Sequence, residues 1–438
     1  MSSTLSGWGR IPALGSEILS TDLEAVTAHA ALSRGLGRSY GDASLPARPS
    51  DKVVATRLAD RVLAFDDHTG VMRVEAGLSL AELVRVWMPR GWFVPVTPGT
   101  KFVTVGGMVA SDVHGKNHHR DGCFGAHVRA LRVRLASGDV VSCSADVNAD
   151  LFYGTIGGMG LLGHILEVEL VMHRIPSAWI HMESERVANI DEFLAALERA
   201  AGAWPMTMGW IDCASRGSAL GRGILMAGRW ADAIEARGVP REPKPHELKL
   251  DLPSGTLNGF TTAAFNALYY WSHFEHREER IVAPDPFFYP LDRILAWNRA
   301  YGRRGFTQYQ CVLPRAAGAS AVRALLERTS ALGCASPLCV IKDCGPEGRG
   351  TLSFPLEGTS VAIDVAVTDR IQEVIDALNE IVIAAGGRVY LTKDRFTRAE
   401  HFAAMEPRLD AFRALRDKWD PRRELRSALS VRLLGDIA

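Results

Sequence analysis

The residues best suited to chemistry stand in glycine-rich loops. Arg34-Gly35-Leu36-Gly37-Arg38-Ser39-Tyr40-Gly41-Asp42 spaces its glycines so that backbone N–H groups can converge into a concave nest, to which Arg38 and Ser39 add side-chain donors. Such a nest can hold a pyrophosphate, and the same run can equally be a plain turn. Its company is Pro98-Gly99-Thr100, then Thr104 to Ser111, then Asp112-Val-His-Gly-Lys-Asn-His-His119. Histidines 114, 118 and 119 are metal-type ligands, yet the flanking glycines and Lys116 suit an anionic ligand better, so no metal is expected. Gly158-Met-Gly160-Leu-Leu-Gly163 matches G-x-G-x-x-G by letter. Its dinucleotide use needs a strand before and a helix after; here Asp150 to Thr155 reads as helix or turn and His164 to Val171 as strand, so a turn between elements is expected. Gln308 and Gln310 alternate along a strand-like run and share one face, while Lys116, Lys342 and Lys393, taken singly, read as solvated side chains.

The elements that must position these groups follow from periodicity. Residues 20 to 32 open with a Ser/Thr/Asp cap and continue at helical spacing, which predicts a helix feeding the first glycine loop. Strands are predicted at Val62 to Phe65, Val71 to Glu75 and His164 to Val171, a helix at Leu80 to Met88, and a hairpin of Ala130 to Ala136 with Asp139 to Ser142 turning at Ser137-Gly138. From about residue 174 the glycine loops thin out. Alternation such as Ser360 to Val367 then accompanies helical spacing at 190 to 201, 318 to 332 and 370 to 385, predicting a second α+β unit on an antiparallel sheet. The tail, Thr397 to Leu434, is helical with breaks at Pro407 and Pro421 and is expected to pack back on the first unit.

Composition limits the function. The 438 residues carry 50 Lys plus Arg against 50 Asp plus Glu, which leaves no global field for nucleic acid or anionic lipid. No run is long and apolar enough to span a membrane, and the start MSSTLSGWGR has neither a basic nor an apolar leader region, so a cytoplasmic enzyme is expected. Seven cysteines without C-x-x-C pairs read as buried free thiols.

The ordered set R-G-x-G-x-S-Y-G-D, P-G-T, T-V-G-G-x-x-A-x-D-x-H-G and G-G-x-G-x-x-G resembles the FAD-binding (PCMH-type) domain of the vanillyl-alcohol-oxidase-type flavoproteins. More closely, Val105 to His119 with Leu5 to Arg10, Tyr289 to Asp292, Trp297 to Gly302, Gln308 to Gln310, Leu352 to Pro355 and Thr392 to Asp394 is similar to the decaprenylphosphoryl-ribose 2'-oxidase family. The resemblance implies a two-domain α+β flavoprotein. A split FAD-binding domain, 1–173 with 388–438, would frame a substrate domain, 174–387, with an antiparallel sheet flanked by helices. It further implies that Ser33, Arg34, Gly35, Leu36, Gly37, Arg38, Ser39, Tyr40, Gly41, Asp42 and Ala43 hold the pyrophosphate. Gly99, Thr104, Val105, Gly106, Gly107, Ser111, Asp112, Val113, His114, Ile165 and Tyr390 would line the rest of the flavin. Relatives that bond the flavin covalently use a histidine near the first loop; Ser39-Tyr40 stands there instead, so the FAD is expected to be noncovalent.

The implied reaction oxidises the 2'-hydroxyl of a polyprenyl-phosphoryl-β-D-ribose, the first half of an epimerisation to arabinose that an NAD(P)H-dependent short-chain reductase completes, with quinone or oxygen reoxidising the flavin. Lys393 matches the family lysine at the reacting carbon, where a cation would stabilise a developing alkoxide; Tyr40 and His114 join it as catalytic candidates. Lys116, Tyr289, Gln308, Gln310, Lys342 and Lys393 are the candidate substrate contacts. Phe260 to Phe274, with six aromatics, reads as a lid or interfacial patch meeting a membrane-held lipid, or else as a core helix. One departure is Ala362, where mycobacterial-type members carry a cysteine, with Asp364 kept two positions on. The rival readings are an FAD oxidase of a soluble polyol or sugar lactone and a noncatalytic flavoprotein scaffold for the reductase.

Overall fold

Alternation along Phe306–Pro314 sends Gln308 and Gln310 to one face and Tyr309, Cys311 and Leu313 to the other, and the whole sheet around it is built on that division. In the computed structural model, which describes residues 3–253, 255–334 and 336–437, eight strands pair antiparallel. Their order is Arg277–Val282, Ile180–Val187, Gly223–Trp230, Met206–Ile211, Cys339–Cys344, Gly358–Ala366, Phe306–Pro314 and Arg388–Val389. The helices Ile190–Ala203, Gly318–Ala331 and Ile371–Ala384 cover one face, burying Phe193, Leu197, Leu325 and Leu378 against Tyr309, Ile341, Val361 and Ile363. Each such side chain contributes roughly 1.5–3 kcal/mol. The helices start cleanly where the sequence allows it; Asn189 accepts from the N–H groups of Asp191 and Glu192. The opposite face is left for the site.

A second core gathers the five-stranded antiparallel sheet Val62–Phe65, Val71–Glu75, His164–Val171, Val128–Arg134 and Val140–Ser144 with the helices Leu80–Trp87 and Val105–Ala110. Phe402, Leu409, Phe412, Leu429 and Leu433, from the tail helices Ala399–Met405, Leu409–Trp419 and Ala428–Leu434, join this same core. Beside it lies a four-stranded sheet in the order Ser3–Ser6, Pro12–Leu19, Lys52–Ala55, Leu32–Arg34.

The segment 20 to 32 departs from its expected form. Asp22 caps as predicted, accepting from Ala25 N–H at 3.0 Å, but the α-helix covers only Leu23–Val26 and tightens into a 3-10 turn at Thr27–His29. Leu32–Arg34 becomes a strand parallel to Lys52–Ala55. Pairing with a distant strand outweighs the local helical preference, which is worth only tenths of a kcal/mol per residue. Six of the seven cysteines are buried and Cys334 is half-buried, all as free thiols. Among the described residues no helix is long and apolar enough to cross a membrane.

Candidate active site

The first glycine loop is assembled by residues from opposite ends of the chain. Gly37 has φ +66°, in the left-handed region, and a side chain there would also meet the Arg34 guanidinium. Gly41 lies so close to the turn after Arg388–Val389 that a Cβ would run into the Asp394 carbonyl oxygen. Tyr40 N–H donates to Thr392 O at 2.9 Å, and on the other flank Trp8 N–H donates to Ser39 O at 2.7 Å. The Trp8 ring supports the Arg38 guanidinium at 3.9 Å.

Between this loop and the open face of the large sheet lies a cavity of about 510 Å³. Of the residues expected to hold a flavin, Ser33, Gly35, Leu36, Gly37, Arg38, Ser39, Tyr40, Ala43, Gly99, Thr104, Gly106, Gly107, Ser111, Val113, His114, Ile165 and Tyr390 line it. So do Lys116, Gln308, Gln310, Lys342 and Lys393. Ala362 also faces it. Met159, Gly160 and Gly163, from the turn between the helix Ala149–Thr155 and the strand His164–Val171, complete the wall.

Six expected contacts lie elsewhere, each for a packing reason. Arg34 turns away to Glu17 (3.1 Å) and Ser6 O (2.8 Å). Gly41 is pressed against Asp394, and Val105 is fully buried in the core. Asp42 pairs with Arg432 (2.7 Å) and Arg395 (2.9 Å). Asp112 sits beneath the cavity floor, accepting from Gly125 N–H at 2.8 Å and from the Ser353 hydroxyl. Tyr289 is completely buried, its hydroxyl bonded to Thr97 Oγ1 at 2.7 Å; it fixes the loop before Pro98 from behind and does not reach the cavity.

Lys393 rides on the Tyr40 ring, its Nζ 3.7 Å from the centroid, and its backbone N–H bonds to Tyr390 O at 2.9 Å. Asp394 orders the next turn by accepting from Thr397 N–H at 3.0 Å. Burial pushes the Lys393 ammonium well down from its usual range, against an opposing pull from Asp364 and with help from Lys342. Burial and the neighbouring Lys342 likewise bring Lys116 down to about 7, and burial lowers Lys342 itself. None of the three has a carboxylate within ion-pair distance among the described residues. Burial also holds Tyr40 well above the ordinary phenol range, so it stays a neutral platform. His114 is kept neutral by burial and then by Lys342. With Gln310 Nε2 donating to His114 Nε2 at 2.9 Å, the imidazole proton sits on Nδ1, which has no partner among the described residues. His118 accepts from Gly345 N–H at 3.0 Å and His119 bonds to Trp204 O, so neither enters the cavity lining.

These residues fit an FAD. The glycine loop with Arg38, His114 with its orphaned buried Nδ1, and three lysines without ion-pair partners all line the one cavity. Met208, Trp210 and Met226, from strands, were not foreseen from sequence; Phe265 and Tyr269, at the rim, come from the helix Gly259–Ser272 inside the aromatic stretch expected as a lid, an interfacial patch or a core helix. The strand alternation at 206–211 held that signal. The helix itself lies on the surface, with Phe260, Phe265, Leu268 and Trp271 exposed and Tyr270 buried.

Comparison with known proteins agrees with this geometry. Residues 24–144 match the FAD binding domain family model. The chain is 34% identical to the decaprenylphosphoryl-β-D-ribose oxidase of Mycolicibacterium smegmatis over 98% of its own length and 97% of that protein's. It is 34% identical to an uncharacterized Streptomyces coelicolor protein, over 81% of this chain and 98% of the relative. A D-lactate dehydrogenase of Anaerostipes hadrus is 32% identical over 28% of this chain and 27% of its own.

Proposed function

Since the chain belongs to the decaprenylphosphoryl-β-D-ribose oxidase family, with FAD as its cofactor, we propose that it oxidises the 2'-hydroxyl of a polyprenyl-phosphoryl-β-D-ribose to the 2-keto sugar. The observation that carries this reading is one cavity that joins the glycine loops, a half-buried Lys393 and two further unpaired lysines to an aromatic rim. Bound FAD supplies the hydride acceptor. Lys393, held on Tyr40, takes the hydroxyl proton as its neutral amine; burial has already lowered the cost of that form. His114 presents Nδ1–H toward the cofactor, and Gln308 and Gln310 hold the sugar. Residues 1–173 and 388–438 make up the flavin unit in this reading and 174–387 the substrate unit, with the FAD held noncovalently. An NAD(P)H-dependent reductase consumes the ketone, and quinone or oxygen reoxidises the flavin.

The test is anaerobic mixing of the FAD-loaded protein with farnesylphosphoryl-β-D-ribose while the oxidised-flavin band is followed. Bleaching is expected; absence of bleaching, or bleaching only by water-soluble polyols or lactones, would overturn the substrate assignment.

Lys116 and Lys342 are the proposed phosphate ligands. Lys116, brought down to about 7, is largely neutral at pH 8, and an arriving phosphate raises it again. Binding of farnesyl phosphate at pH 8 is therefore expected to take up a proton. Titration calorimetry would show a binding heat that varies with the ionisation enthalpy of the buffer, and buffer-independent heat would remove Lys116 from this role.

The exposed face of Gly259–Ser272 stands at the cavity rim, where a lipid chain must enter, so we place peripheral membrane contact there. Wild type is expected to float with anionic liposomes, and Phe260→Ser/Trp271→Ser to float several-fold less; equal flotation would sink the assignment.

A further inference from the structure

A second cavity, of about 430 Å³, adjoins the first, and Asp364 stands between them. Pro337 borders both. The Asp364 carboxyl is 1% exposed. Its Oδ1 accepts from Gln308 Nε2 at 2.6 Å, and Gln308 faces the first cavity. Its Oδ2 accepts from the Tyr301 hydroxyl at 3.1 Å, and Tyr301 lines the second. The Tyr301 hydroxyl also reaches Ser336. The second cavity opens to solvent beside Asp369 and Arg370, whose side chains are 92% and 62% exposed.

Packing alone does not call for a carboxyl here. A buried carboxylate costs several kcal/mol unless it is well paired, and no cation lies within ion-pair distance of it among the described residues. Catalysis does call for one. With cofactor and substrate in the first cavity and a lipid chain across the aromatic rim, Lys393 loses contact with bulk water, yet each turnover leaves it holding a proton.

We propose that Asp364 and Tyr301 form the proton outlet of the active site, carrying the proton that Lys393 takes from the substrate hydroxyl into the second cavity. The inference rests on the reaction proposed above. In that reaction the substrate O–H bond breaks toward the Lys393 amine, the C–H bond breaks with its hydride accepted by FAD, and the C=O bond forms. The Lys393 ammonium, which makes no direct contact with Asp364, then passes its proton across an intervening water to the Asp364 carboxylate, which passes a proton through the Tyr301 hydroxyl to water beside Ser336. Each carrier ends as it began, and one proton has left. The groups facing Asp364 are Gln308, Tyr301, Tyr40, Lys393 and Cys339; those facing Lys393 are Tyr40, Asp364, Lys342 and His114. Burial raises Asp364 and lowers Lys393, which brings donor and acceptor toward a common range and suits reversible transfer. Asp364 and Tyr301 act through Lys393 and are not themselves placed against substrate.

Tyr301→Phe keeps the ring stacked on Phe306, 4.2 Å between centroids, and deletes only the hydroxyl. Stopped-flow bleaching of the FAD-loaded variant by farnesylphosphoryl-β-D-ribose, with a pH-indicator dye present, is expected to be on the order of tenfold slower at saturating substrate. Half-saturation should be unchanged and dye-detected proton release equally slowed. In Asp364→Asn, added azide or imidazole should restore part of the rate by reaching the second cavity. Wild-type rate, pH profile and proton release in Tyr301→Phe would overturn the outlet while leaving the oxidase reading intact. A rise in half-saturation without azide rescue would overturn it too, by making the pair merely structural. Failure of wild type to bleach would overturn both.

Discussion

Lys393→Ala is expected to slow flavin bleaching by about 10³-fold at saturating substrate while the protein still purifies with FAD, a loss of about 4 kcal/mol of transition-state stabilisation. The lysine is delivered by the turn Leu391 to Asp394, its ammonium rests on Tyr40, and its own amide is tied to Tyr390 O. Little reorganisation stands between this geometry and a substrate hydroxyl. Lys393→Arg separates two roles. A guanidinium keeps the positive charge and never becomes a base near neutral pH. If proton abstraction is the contribution, Lys393→Arg is as slow as Lys393→Ala; if stabilisation of an alkoxide is, it retains most of the rate. We expect the former. The sign of the pH dependence follows: burial lowers the lysine, the neutral amine accumulates as pH rises, and bleaching by wild type should accelerate from mildly acid to mildly alkaline pH. A flat profile would argue against Lys393 as base.

Arg432→Met is the second large effect, expected to cost about 3 kcal/mol in urea unfolding of the FAD-loaded protein. From the helix Ala428–Leu434, Arg432 reaches Asp42 with Nε at 2.9 Å and a terminal nitrogen at 2.7 Å, and Asp394 with the other at 2.8 Å. Burial would lower its basicity, but Asp394 and Asp42 outweigh that and keep it charged. Both carboxylates are nearly fully buried, so the methionine leaves them facing one another with only Arg395 in support of Asp42. The loss should be larger than for Arg395→Met, since that change leaves the two-carboxylate bridge in place. Equal losses would show that Arg432 does not join the two loops energetically.

What the residues disclosed beforehand divides along the range of the forces involved. That most of the glycine loop, with Thr104, Gly106, Gly107 and His114, would share a wall was legible through motifs whose demands are local: backbone approach, a left-handed φ at Gly37, a side chain at fixed offset. The shared face of Gln308 and Gln310 was legible through period two. Asp42 looked like one more loop ligand, yet its partner is Arg432 in the last helix, and nothing within a sequence window could reveal that. Tyr289 sits in a motif that touches the cavity through Leu291 and Asp292, but its own direction is fixed by Thr97 across the core. The helix expected over 20 to 32 yielded to a strand partner twenty residues on. The apolar wall of Met208, Trp210 and Met226 was hidden for the opposite reason, because a cavity-facing methionine and a core methionine look alike until the sheet has a back and a front.

The late position of Arg432 and Lys393 sets a schedule for the molecule's birth. A ribosome adds roughly 5–20 residues each second, so the nest around Arg38 emerges about 20 to 80 seconds before the residues that press it shut. During that interval Gly41 has no Asp394 beside it and Asp42 has no cation from the final helix. Closure of the loop therefore waits on the end of the chain, and a chain truncated before residue 432 is expected to purify with less FAD than the full chain, as its flavin absorbance would show.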